Sequence, residues 1–418
     1  MERREFLKVT GGLAGAALLT SCARPPAAAP ASPAGTPRPP AHVLFADVSA
    51  RLSALDTRSG ATIFSTARPV AGAGWDRLYT VSPAGELLTL DAVTGRELSR
   101  ATVPHGVVAR VVSPLGDVVA LGAPAPASPY GRPGRRSTTL VVADPSGSTA
   151  PKVVRLKGNF EPDAFSTDGK ALFLLEYLPA TSPESYRVKA YDIERGSFSP
   201  LLTREKRPVP AGAEETMRGE GRVAVLSPGR DRLYTLYTHQ PNHLHTRDLV
   251  AGRTTGVHAF VHVLDLGQRW AYCLDLPEPF GRGPAEGHTL AVSAAALYVY
   301  DGAGGTLLRA GTESLEIERT AVVGASSGAA SAASEGASLY VAAGPSVRSI
   351  DPGSLAVRGE WRLPAAARGV AVTPDERAVY AGVTGGVVRF DGRAGREVSR
   401  IAVPGISLLR HAATRPDG

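Results

Sequence analysis

Cysteine is nearly missing from this chain: Cys22 and Cys273 are the two in 418 residues, so no disulfide framework can hold the fold together. Aromatic residues make up only 6%, and tryptophan stands at just Trp75, Trp270 and Trp361. Lysine is scarce too, because most of the 46 basic residues are arginines scattered singly among 39 acids. A nucleic-acid binder gathers such charge into a stripe or onto one face. The densest cluster here is Arg132, Arg135 and Arg136, so the net charge of +7 does not point to nucleic acid. No apolar run reaches the ~20 residues that a membrane-spanning helix needs. A Walker loop, a His-Glu-x-x-His pair and a dinucleotide fingerprint are all missing, and no organic cofactor is expected.

What the chain does hold is 46 glycines and 34 prolines at a mean hydropathy of -0.04, the composition of a turn-rich globular protein. Its first residues are the exception. Arg3 and Arg4 precede Phe6, Leu7 and Lys8, a mildly apolar core runs from Val9 to Leu19, and Leu19-Thr20-Ser21-Cys22 closes it. This start resembles a twin-arginine export signal ending in a lipobox. The resemblance implies cleavage before Cys22, lipidation of Cys22, transport of an already folded domain, and residence on the outer face of the cytoplasmic membrane. Residues 1–21 are then a signal peptide. Residues 22–40 hold seven prolines and read as an extended tether. With Cys22 taken by lipid, Cys273 is the one thiol left in the mature chain; it sits in the alternating Trp270-Ala-Tyr-Cys-Leu-Asp275 and is expected to be a buried, inert core thiol.

From residue 41 to 418 the chain is a series of short alternating runs bounded by Gly, Pro and Asp, the pattern of an all-β protein. One phrase recurs: a strand ending in Asp. Its ends are Asp56, Asp91, Asp144, Asp192, Asp265, Asp351 and Asp391, with Thr306-Leu-Leu-Arg-Ala-Gly311 as an eighth copy lacking the acid. A carboxylate there accepts from backbone N–H groups two residues on and turns the chain. A second phrase, Ser/Thr-Pro-Asp-Gly or a variant, alternates with it at Ser113, Ser166, Ser227, Ser334 and Thr373. Together they spell a four-stranded antiparallel unit. This resembles a β-propeller blade, and Leu90-Asp-Ala-Val-Thr-Gly95 is similar to the YVTN-type repeat. WD40 repeats fit less well, since Trp-Asp is missing from the blade ends, and three tryptophans are too few for the eight-bladed quinone dehydrogenases.

Residues 42–66 supply only three strands, while the last residues from Ile406 read as a lone first strand. The C-terminal strand is therefore expected to pair with the N-terminal blade and close the ring, which removes exposed sheet edges. The count is eight blades of about 47 residues, or seven if the degenerate sixth and seventh copies merge.

Long insertions fall where the chain turns between second and third strands: Pro124 to Ser137, Leu178 to Tyr186 and His239 to Gly256. A fourth, Arg204 to Gly219, joins two blades. The up-and-down path puts all four on one rim of blades three to five. Long loops in compact domains tend to carry function, so this rim is the expected binding surface, with Arg132, Arg135 and Arg136 in it. The innermost strands add Arg110, Arg410 and His411 as candidate channel-lining groups. Five of nine histidines lie between His239 and His262. His239, His243 and His245, with His258 as a strand partner, form a candidate transition-metal set by ligand type; His258 and His262 lie ~13 Å apart along a strand and cannot share one ion. Glu214-Glu215 reads as solvated loop. The first expectation for function is a membrane-tethered binding or scaffold module whose envelope protein, glycan or small-molecule partner is left open; the alternative is a propeller enzyme, lactonase-like or an accessory to an envelope oxidoreductase, working at the central channel.

Overall fold

A computed structural model describes residues 42–124, 133–210, 212–218 and 222–414. The expected signal peptide, Arg3, Arg4, Cys22, the tether and Arg132 lie outside the described residues. The described chain is an eight-bladed β-propeller, and the seven-bladed count is set aside by eight separate sheets. Blade one is Ile406–Thr414, His42–Val48, Arg51–Asp56 and Thr62–Thr66, numbered from the inside outward. Its innermost strand is thus the last in the chain, in antiparallel register from His42 opposite Thr414 to Val48 opposite Ile406. The weak sixth and seventh copies are complete blades, beginning at His288–Val292 and Ala330–Glu335.

The turn chemistry explains the spacing of strands. Asp91 Oδ1 accepts from the backbone N–H of Val93 and Thr94 at 3.1 and 2.7 Å, and Asp351 and Asp391 hold their turns in the same way. In the alternate turns, the Thr373 hydroxyl accepts from Ala378 N–H and donates to Asp375. These bonds satisfy backbone groups where strand pairing stops.

Eight apolar clusters form the core of the described residues, one at each junction of consecutive blades. Second-strand tyrosines lock several of these junctions. Tyr79, Tyr300 and Tyr340 are buried, and each donates its hydroxyl to a backbone carbonyl of the adjoining blade or its connection: Gly116, Gly324 and Gly392. Tyr380 reaches His42 Nδ1 at 2.9 Å across the closing junction. A buried ring supplies apolar area, and its hydroxyl still finds a partner.

Blade five departs from four strands. Leu202–Thr203 joins its outer edge as a fifth, pairing parallel to Trp270–Asp275. The linker from blade four thereby doubles back along blade five before entering its first strand, Arg222–Leu226. The chain's longest helix among the described residues is Thr246–Val250, within the blade-five insertion.

Candidate functional site

The four insertions meet in sequence around the rim. Arg135 N–H donates to Ala180 O, joining the insertions of blades three and four; Tyr186 and Met217 exchange two backbone bonds of 2.9 and 2.7 Å; and Gln240 Oε1 accepts from Arg218 N–H. Between blades four and five, the linker and the blade-five insertion border a crevice of about 750 Å³. Phe198 and Leu201 form one wall, and Ala271, Tyr272 and Cys273 the other. Val209 and Met217 come from the linker, and Arg247 and Val250 from the short helix. The Tyr272 ring has the guanidinium groups of Arg204 and Arg247 at 5.3 and 5.4 Å from its centroid, within the range of cation–π attraction.

At one end of the crevice four side chains converge. Glu215 arrives on the linker, His243 and His245 on the blade-five insertion, and Cys273 on the outermost full strand of blade five. Their backbones are fixed: His243 N–H and O both pair with Val257 at 2.9 Å, and His245 precedes the helix with its own N–H donated to Asp248. Phe260 fixes the rings, with His243 stacked on it at 4.5 Å and His245 edge-on at 4.8 Å. Glu215 Oε2 lies 2.9 Å from His245 Nδ1 and 3.5 Å from His243 Nε2, and the Cys273 thiol donates to the same carboxylate at 3.5 Å. On its far side His245 Nε2 meets Asp275 Oδ1 at 2.7 Å, while Arg247 holds the other oxygen of Asp275.

Charge follows from that geometry. Burial by itself would raise the Glu215 carboxyl, but hydrogen bonds from His243 and His245 and the His245 charge outweigh it and hold the group well below the carboxylate range. Burial opposes a charge on His245 as well; its bonds to Asp275 and Glu215 prevail and raise it. Burial and the Glu215 charge push the Cys273 thiol well up, so it is a neutral thiol here.

The sequence candidates sort differently from the expected set. His243 and His245 come together, with ring centroids 4.7 Å apart. His239 and His258 form a separate pair 6.1 Å apart; His258 precedes the strand Phe260–Asp265 rather than lying on it, and its Nε2 is engaged by Gly281 O. In their place stand Glu215, which turns inward from the linker instead of into solvent, and Cys273. The sequence reading missed both, although two signals could have found them. Cys273 and Asp275 are two apart on a strand and so share a face, and Glu215 lies in a linker long enough to double back.

The channel-strand candidates are held by partners. Arg110 reaches Glu161 Oε2 at 2.6 Å and Ala123 O at 2.7 Å, and Arg135 joins Glu161 from the insertion. Arg136 is exposed. Arg410 pairs with Asp47 at 2.6 Å. His411 stacks on Trp75 at 5.0 Å with its plane tilted only 14°, between blades one and two rather than in the channel. Gly324-Ala-Ser-Ser-Gly328 has the spacing of a nucleophile elbow, but it connects two strands, Ile317–Val322 and Ala330–Glu335, without the helix that motif requires.

Burial pushes the His411 imidazole down to about 4 from its usual 6.5. The unfolded chain therefore takes up this proton first on acidification. Stability is unaffected above pH 6.5 and falls between pH 6.5 and about 4, by roughly 3 kcal/mol for this group. His411→Phe should flatten that part of the wild-type curve of urea stability against pH; an identical slope in both proteins would contradict the assignment.

No protein-family model and no curated protein matches the sequence. Among solved structures the chain is similar to AztD from Citrobacter koseri, at 10% identity and a TM-score of 0.53 over 89% of this chain and 97% of that one. The apo form of AztD gives 10% identity and 0.51 over 89% and 98%. The dihydro-heme d1 dehydrogenase NirN in complex with DHE gives 14% identity and 0.49 over 89% and 74%. At these identities the likeness is one of fold: the class defined is the eight-bladed β-propeller.

Proposed function

We propose that this protein is an exported, lipid-anchored binding module of the YVTN-like propeller kind, and that its ligand seat is the crevice between blades four and five. The observation that carries this reading is the crevice itself. Its volume of about 750 Å³ falls in the ~300–1,000 Å³ range of small-molecule sites, and charged residues share its lining with Phe198, Leu201, Val209, Met217 and Tyr272, whose ring two guanidinium groups approach. Such a surface suits a ligand with an aromatic or apolar body, since both guanidinium groups are already engaged, Arg247 by Asp275 and Arg204 by the carbonyls of Glu313 and Ser314. Arg3, Arg4 and Cys22 support the export and anchoring part of the reading, under which the crevice works outside the cytoplasmic membrane.

The test uses an anionic aromatic dye, anilinonaphthalene sulfonate, as probe. Wild-type protein should bind it with a fluorescence rise, and Ala271→Trp, which fills the crevice from its blade-five wall, should weaken binding at least ~10-fold while leaving the β circular-dichroism spectrum unchanged. Equal dye binding by the two proteins would reject the crevice as the seat. In cells, Cys22→Ala should move the protein from the membrane fraction to the soluble fraction; retention in the membrane would reject the lipid anchor.

A further inference from the structure

We infer that Glu215, His243, His245 and Cys273 form a binding site for a thiophilic divalent cation, with Zn²⁺ as the best match. The set mixes one carboxylate oxygen, two imidazole nitrogens and one sulfur, the ligand types that Zn²⁺ accepts in fourfold coordination. The nearest donor atoms of Glu215, His245 and Cys273 lie within 4.8 Å of one another. Tetrahedral coordination at ~2.1–2.3 Å puts donors roughly 3.4–3.8 Å apart, so these three close by side-chain shifts of about 1 Å, and His243, whose Nε2 faces Glu215 Oε2 at 3.5 Å, supplies the fourth donor.

Two further observations point to a ligand. His243 Nε2 is buried, its side chain only 4% exposed, and a long 3.5 Å contact to Glu215 Oε2 is all that serves it. A polar atom left so in the interior is costly unless something completes its coordination. The other is behind His245. A metal-binding imidazole commonly gives its second ring N–H to a carboxylate, which fixes the ring and raises its basicity. His245 presents Nδ1 to the cluster and Nε2 to Asp275 at 2.7 Å, and Asp275 is anchored by Arg247 at 2.7 Å. The helix, the strand and the linker thus prepare a donor set that strand alternation alone would not assemble. Binding forms the metal–sulfur and metal–nitrogen bonds and releases the Cys273 thiol proton, and that of His245, to solvent. With four protein donors the ion is enclosed, which suits holding or delivering it rather than polarising a substrate.

The site does not depend on the crevice being a ligand seat, and the dye and metal experiments fail separately. Full-length protein purified in detergent and stripped with chelator should bind one Co²⁺ with the intense visible bands of tetrahedral cobalt and a thiolate-to-cobalt charge-transfer band, both bleached by Zn²⁺. Cys273→Ser should lose the charge-transfer band. His243→Ala should weaken Co²⁺ binding at least ~10-fold, and Asp275→Asn by ~10–100-fold through loosened orientation of His245. His239→Ala and His258→Ala should bind like the wild type. A spectrum without tetrahedral bands, or one that survives unchanged in both Cys273→Ser and His243→Ala while these variants keep the wild-type circular-dichroism spectrum, would overturn the inference.

Discussion

A chain ending at Gly405 should fail to form the native ring. The lost strand, Ile406–Thr414, pairs along the whole of His42–Val48 and places Ile406, Leu409 and Ala412 in the cluster that joins blade eight to blade one through Leu44, Tyr380 and Val387. Burying a leucine or isoleucine is worth ~1.5–3 kcal/mol, and the two here are accompanied by a full ladder of backbone bonds. The loss is comparable to the ~5–15 kcal/mol that stabilises a typical domain. It also bares the edge of His42–Val48 at the inner face, a template for aberrant pairing. The expected result is a chain recovered in aggregates. A circular permutant isolates the cause: Thr414 lies opposite His42, so a short turn can link them, with new termini at Ile406 and Gly405. It should recover solubility and the β spectrum of the wild type, because closure has become a local hairpin. A soluble truncated chain with wild-type urea stability would show that the strand is dispensable.

Glu161→Ala should be the most destabilising single substitution on the rim, at ~3–5 kcal/mol. Glu161 lies on Asn159–Phe165, the innermost strand of blade four, and its side chain is only 6% exposed. Arg110 comes to it from blade three and Arg135 from the insertion. Beside it the buried Asn159 accepts from Arg135 Nε and donates to Pro133 O and Ala180 O, tying the two insertions to the strand. Removing the carboxylate leaves the largely buried Arg110 without a counterion, and that uncompensated charge is the main cost. Arg110→Met/Glu161→Leu should therefore be closer to wild type than Glu161→Ala in urea unfolding, since Arg135 can turn to solvent. If the double variant is instead as unstable as the sum of the singles, the network is not a coupled charge cluster.

These two experiments probe opposite kinds of legibility. Closure was visible in the sequence because a missing strand at one end and a spare one at the other are a matter of counting. The Asp turns were visible for a local reason as well: each carboxylate bonds within three residues of itself. The rim location of the insertions follows from the alternating direction of strands. Glu161 was not visible, since its partners Arg110 and Arg135 lie 51 and 26 positions away and nothing in its neighbourhood marks a glutamate on an inner strand as buried. His411 read as a channel group for the same reason, because which face of the innermost strand meets the next blade depends on how Trp75 packs.

By itself, then, the sequence determined the propeller ring, its closure, its turns and the side on which the insertions stand, because short-range hydrogen bonding and strand alternation govern all of these; the eight separate sheets decided eight blades over seven. Tertiary structure decided which chemistry is brought together. The linker pairs parallel to the outer strand of blade five and carries Glu215 back over that blade. There Glu215 meets Cys273, 58 positions away, and His245, 30 positions away, while His239 and His258, nearer to His245 in sequence, fall elsewhere. Proximity along the chain sets local backbone geometry; the path of the linker sets which side chains share a site.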